Sequence, residues 1–173
     1  IQIHCLPGEQ EVNLQKAEFF IEQAARLGAE IAVLPECCDL GYDLPLLKRE
    51  PELVITGKSA NFFIALAQKH SIHIIAGIIE RDAKGNLFNS AFCADPKGEN
   101  SSYRKSHLFC TPPILENEVF TAGDGGILLD WPQGKVAPLI CYDLRFPELA
   151  RKQALAGAEI FAVPSAWPLA RVD

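Results

Sequence analysis

The chain has 173 residues, 49% hydrophobic and 22% charged, a balance that excludes an intrinsically disordered chain and predicts one core-forming domain, residues 1–173. Its formal net charge of −6 argues against a nucleic-acid binder or a cationic membrane-surface protein. No apolar run reaches the ~18–20 residues that span a bilayer.

The chain opens inside an apolar run, Ile1-Gln2-Ile3-His4-Cys5-Leu6, which reads as a strand that has lost its start. It holds no methionine and closes at Arg171-Val172-Asp173, just after a strand-like segment, so it reads as an incomplete copy of a longer domain. Asn13 is a candidate N-cap for a helix carrying Ala17, Phe20, Ile21, Ala24 and Leu27 at helical spacing up to Gly28. Ile31-Ala32-Val33-Leu34 is a short buried strand stopped by Pro35, and residues 59–68 carry a second helical pattern. Residues 73–79 are β-branched and strand-like. A turn at 82–86, a partner strand at 87–94 and a further turn at 95–98 follow. Residues 105–126 show no period, and a loop of that length in a compact domain tends to be functional or disordered. Strands at 126–130 and 135–140, a helix from Pro147 to Gly157 and a strand at 160–163 complete the pattern. Helices interleaved with strands, and hairpins in the middle, predict an α/β layered domain with a mixed sheet.

Six cysteines stand at 5, 37, 38, 93, 110 and 141 in irregular spacing, without a Cys-x-x-Cys pair or a visible leader. They read as free thiols of a cytoplasmic protein. Cys37-Cys38 is a poor disulfide pair, because adjacent residues rarely meet the geometry. His70 and His73 lack one-face metal spacing, so no metal site is expected. Gly57-Lys58-Ser59 imitates the end of a phosphate loop, but Glu52 stands where the first glycine is required.

Three chemically capable residues fall at strand ends. Glu36 follows the strand ending at Leu34, Lys105 stands where strand pairing gives way to the long loop, and Cys141 follows the strand 135–140 just ahead of a helix start. Taken singly, each has an ordinary structural alternative: a solvated acid, a solvent-facing lysine, an inert buried thiol. Taken together they supply a nucleophile, a proton acceptor and a cation, the set that thiol catalysis needs.

The segments around them resemble the carbon–nitrogen hydrolase (nitrilase) superfamily. The matching pieces, in order, are Leu34-Pro35-Glu36 with Gly41-Tyr42, then Tyr103-Arg104-Lys105-Ser106-His107-Leu108, then Cys141-Tyr142-Asp143-Leu144-Arg145-Phe146-Pro147-Glu148. The resemblance implies that Glu36 is the general base, Lys105 the oxyanion-stabilising lysine and Cys141 the nucleophile. It also implies a second glutamate in the following loop, at Glu116 with Glu118 as the other candidate. The third segment and Ser165-Ala166-Trp167-Pro168 are most similar to the Nit/ω-amidase branch, which hydrolyses terminal amides of small 2-oxo dicarboxylates. The resemblance further implies an α-β-β-α sandwich with its C-terminal part missing here, assembly as a homodimer or higher homo-oligomer, and no cofactor. Tyr142, Arg145 and Trp167 are the candidate substrate-binding residues, Arg145 for a substrate carboxylate or else as a brace to Asp143 or Glu148. Pro138 departs from a regular strand, since it removes a ladder donor. The alternatives left open are an N-carbamoyl hydrolase or nitrilase on the same residues, and a non-catalytic thiol-containing binding protein.

Overall fold

A computed structural model describes residues 1–167; Pro168 and the chain end at Arg171-Val172-Asp173 lie outside the described residues. The first sheet has the order β1 (Ile31–Val33), β2 (His73–Arg81), β3 (Leu87–Ala94), β4 (Asn100–Arg104). β1 runs parallel to β2 with Ile31 opposite His73, and the other two pairs are antiparallel, with Ile74 opposite Ala94 and Ala91 opposite Tyr103. The period of two then sorts the side chains of β2. Ile74, Ala76 and Ile78 face α1 (Gln10–Arg26) and α3 (Lys58–His70), where they meet Ile21, Phe63 and Leu66. Ile75 faces the other way, with Ala91, Cys93 and Tyr103.

That second face meets a smaller mixed sheet of order β7 (Leu129–Trp131), β8 (Gly134–Pro138), β9 (Ile160–Ala162). Val136, Leu139 and Ala162 fill the space between the sheets, and Leu149 of α4 (Pro147–Leu155) joins the cluster. The layers are therefore α-β-β-α. Ile74 and Ile75 are both fully buried, and each such side chain contributes about 1.5–3 kcal/mol relative to exposure. A third cluster of Leu40, Leu47, Ile79, Leu87 and Phe120, with Leu44 of α2 (Leu44–Arg49), packs beside the sheet end that carries the site. Among the described residues no helix is long and apolar enough to cross a membrane.

Several expectations need correction. Residues 1–6 form no strand, and Asn13 is no cap but an interior residue of α1. Its buried amide donates to the carbonyls of Leu6, at 2.8 Å, and Asp39, at 3.0 Å, and accepts the Leu6 N–H at 2.8 Å. A side chain thus satisfies the backbone that a neighbouring strand was expected to satisfy. α2 escaped detection because six residues are too few for a period, although Asp43 caps it by accepting the Leu46 N–H at 2.9 Å. The aperiodic stretch 105–126 holds a two-residue hairpin, β5 (Cys110–Thr111) with β6 (Ile114–Leu115), and a 3-10 turn, Glu116–Glu118. Pro138 is accommodated without loss. Leu139 donates to Ala162 at 2.9 Å, so the alternation turns position 138 toward β7, whose pairing has already ended at Val136.

Candidate active site

Glu36 sits just past β1, on a segment that crosses directly over β2. The crossing is close: a Cβ on Gly77 would run into the Glu36 Cα and the Pro35 carbonyl. Only glycine leaves that room. Lys105 follows β4, and its N–H bonds the Asn89 carbonyl at 2.8 Å, extending the ladder by one residue. The returning chain crowds it from behind, since a Cβ on Gly123 would strike the Arg104 carbonyl, while the Gly123 N–H bonds the Lys105 carbonyl at 2.8 Å. Two glycines therefore let a carboxyl group and an ammonium be pressed into the sheet end.

Their side chains meet in a dry cluster. Lys105 Nζ lies 2.8 Å from Glu36 Oε1 and 2.9 Å from Glu116 Oε2, with all three side chains at most 1% exposed. Glu116 also accepts from Tyr42 Oη at 2.9 Å and from the Phe109 N–H at 2.6 Å. Glu118, by contrast, is on the surface, paired with Lys48 at 2.6 Å. The geometry thus brings Glu116 and not Glu118 to Glu36 and Lys105. Burial opposes the charge on Lys105, but Glu36 and Glu116 outweigh it and hold the ammonium well above the usual lysine range.

Cys141 stands at an elbow. β8 ends at Pro138, and the 3-10 turn Cys141–Arg145 leads into α4. Cys141 has φ +42°, a left-handed conformation that non-glycine residues seldom adopt and that strained functional turns use. The Cys141 N–H bonds the Pro164 carbonyl at 3.0 Å, and the Tyr142 N–H has no backbone partner among the described residues. The Ala166 N–H donates to Glu36 Oε2 at 2.9 Å, and the thiol lies beside that pair, near enough for both to act on it. Burial, and then the Glu36 charge, push the thiol up to about 12, against a smaller opposing pull from Lys105. At neutral pH the resting group is a thiol beside the Glu36 carboxyl group.

One cavity of about 470 Å³ opens over this arrangement, lined by Glu36, Lys105, Cys141, Tyr42, Phe109, Thr111, Ile114, Ala166 and all three expected substrate residues, Tyr142, Arg145 and Trp167. The Arg145 guanidinium stacks over the Trp167 ring at 5.6 Å and pairs with no carboxylate among the described residues. Asp143, its expected brace partner, is engaged elsewhere. Its oxygens accept from Tyr103 Oη at 2.8 Å, the Ile140 N–H at 3.0 Å and the His107 N–H at 3.0 Å, and His107 Nδ1 lies 2.8 Å away. Asp143 therefore ties the Lys105 segment to the Cys141 elbow.

Sequence reasoning missed two of these groups, Asp143 in that tie and Asn89, which bonds both glutamates. The available signal for Asn89 was an amide inside a strand that is buried at all eight positions. No group of three or more His, Cys, Asp or Glu side chains among the described residues is arranged to hold a metal ion. The chemistry open to the site is nucleophilic attack by sulfur with a proton acceptor in contact, beside a cation and a spare backbone donor.

Residues 1–171 match the family model for carbon-nitrogen hydrolase. The chain is 37% identical to a 2-oxoglutaramate amidase of Bacillus subtilis, over 100% of this chain and 66% of that protein. It is 34% identical to an omega-amidase of Homo sapiens, over 91% of this chain and 59% of that protein. A crystal structure of a carbon-nitrogen hydrolase from Helicobacter pylori superposes with a TM-score of 0.85 at 32% identity, covering 98% of this chain and 60% of that one. The chain thus spans roughly three-fifths to two-thirds of the length of the proteins it resembles.

Proposed function

The chain belongs to the carbon–nitrogen hydrolase family, and on that premise we propose that its site hydrolyses the terminal amide of a small carboxylic acid through a thioester on Cys141. The observation that carries this reading is the convergence of Cys141, Glu36 and Lys105 on one cavity, with Glu116 behind them bonded to Lys105. Sulfur attacks the amide carbon while Glu36 takes the thiol proton. Lys105 Nζ and the Tyr142 N–H receive the oxyanion. Collapse expels ammonia, which carries away the proton from Glu36, and leaves the thioester. Glu36 then deprotonates a water for attack on the thioester, and its proton returns to sulfur as the acid leaves.

The finer part of the proposal is the substrate, an ω-amide of a 2-oxo dicarboxylate. Arg145 supports it: a guanidinium on the cavity wall, without a carboxylate partner among the described residues, offers a two-pronged contact to a substrate carboxylate. The names of the relatives point the same way.

The test is ammonia release across a panel of charged amides, neutral amides, N-carbamoyl compounds and nitriles. ω-Amides with a free carboxylate should be preferred, Cys141→Ser should abolish turnover, and intact mass should show an acyl adduct in the wild type alone. Arg145→Lys should raise KM for the charged amides with little change for a neutral one. Turnover surviving in Cys141→Ala overturns the thioester route, and a preference for neutral amides overturns the substrate assignment.

A further inference from the structure

Two glutamates share one lysine in this cluster, and the lysine is not their only common partner. Asn89, fully buried on β3, donates from Nδ2 to Glu36 Oε1 at 2.7 Å and to Glu116 Oε1 at 3.1 Å. Its Oδ1 finds no partner among the described residues, so the amide is oriented by the two acceptors alone. Its backbone carbonyl also accepts the Lys105 N–H at 2.8 Å. One residue therefore touches all three charged members of the site.

The need for such a residue follows from the charges. Two carboxylates this close repel each other, and burial strengthens the repulsion. A pair of that kind relieves itself by retaining a proton, which would remove the base that Cys141 requires. Lys105 balances one of the two negative charges. Among the described residues, the remaining groups that face the cluster, the Tyr42 hydroxyl and the thiols of Cys37 and Cys141, are neutral when protonated and bring no second cation. We propose that Asn89 is a positioning residue that holds Glu36 and Glu116 in place against their mutual repulsion, by supplying the second shared donor. This rests on the amidase reading given above, but it can be tested without turnover.

The experiment compares Asn89→Ala and Asn89→Asp with the wild type in the intact protein. It uses the pH dependence of kcat/KM and, separately, of Cys141 alkylation by iodoacetamide followed by intact mass. Loss of a hydrogen bond to a charged group should lower kcat at neutral pH about 10- to 150-fold in Asn89→Ala, with KM changed far less. The acid limb of both profiles should move to higher pH in Asn89→Ala, and further in Asn89→Asp, where a third carboxylate faces the single lysine.

A space-filling role predicts the opposite order, with the isosteric Asn89→Asp resembling the wild type. That order, or acid limbs that stay in place in both variants, overturns the proposal. Circular dichroism identifies a variant that fails to fold, and Asn89→Asp, which keeps the volume, then decides alone. If wild-type protein alkylates normally but turns over no amide or nitrile, the hydrolase reading has failed, and the alkylation profiles still decide the role of Asn89.

Discussion

Asp39 lies three residues beyond Glu36, fully buried, and plays no part in the chemistry above. Burial pushes its carboxyl from an ordinary 3.8 up to about 6, in spite of hydrogen bonds from Ser59 and from the Leu40 and Ile79 N–H groups that work the other way. Ser59 Oγ donates at 2.8 Å and Gln10 in turn donates to Ser59 at 3.1 Å, so the network has no cation in it. An acid whose pKa is higher in the fold than in the unfolded chain favours folding only when protonated. Its contribution is complete below pH 3.8 and is lost as pH rises through about 6.

The gap corresponds to about 3 kcal/mol at 1.36 kcal/mol per tenfold change in proton affinity. Asp39→Asn removes the titration and keeps the shape. Its amide oxygen can still accept from Leu40 and Ile79, and its NH₂ can donate to Ser59. Urea unfolding of both proteins between pH 4 and pH 8 should therefore give curves that approach one another at the acid end. Toward pH 7 they should separate by about 3 kcal/mol in favour of Asp39→Asn, equivalent to roughly 6–12 °C in Tm. The effects of all other titrating groups cancel in this difference. Stability curves that stay parallel across the range would refute the argument, because they would mean Asp39 has the same proton affinity folded and unfolded.

The remaining predictions concern the backbone and the tie behind the site. Gly123→Ala should lower kcat by roughly 10²-fold in a steady-state amide assay, because the new methyl displaces the Arg104 carbonyl and with it Lys105. Asp143→Asn should destabilise the fold by about 2–3 kcal/mol in urea unfolding, since it turns an NH₂ toward donors that now meet a carboxylate. The same variant should lower kcat more than it raises KM, because it loosens the Lys105 segment and the Cys141 elbow together.

The parts of this fold that the sequence disclosed are those where one local rule is sufficient. Residues 87–94 read as a strand because β-forming residues fill the space between two turn sequences, and the structure has β3 at those residues. Pro147 opened a helix and Gly157 follows its end. Glu36, Lys105 and Cys141 were legible because strand ends and a three-part pattern single them out. What stayed hidden depends on contacts between distant segments. Asn13 looks like a cap until Leu6 and Asp39 are brought to its side chain, 7 and 26 residues away along the chain. Asn89 looks like an oddity in an apolar strand until Glu36 arrives from 53 residues away. A polar side chain in a buried strand signals that a partner exists; the partner's identity is a tertiary fact.

The charge balance of the site also explains why the thiol proposed as its nucleophile is not poised as a thiolate. Activated cysteines owe a lowered pKa to a neighbouring excess of positive charge. Here two carboxylates surround one ammonium, so the local excess is negative and the thiol is held up at about 12. Such a sulfur becomes nucleophilic only as its proton leaves, and the acceptor in contact with it is Glu36. On the proposed route attack and proton transfer are therefore one event, which ties the lifetime of the strong nucleophile to the presence of an electrophile in the cavity. The arrangement leaves Lys105 equipped for its part as well. A lysine has three N–H donors, and two of them are engaged by Glu36 and Glu116. On the proposed route the third is the one left for an oxyanion, with the other two anchored before it forms. On that route the carboxylates that deny Lys105 to the thiol are what fix it for the transition state.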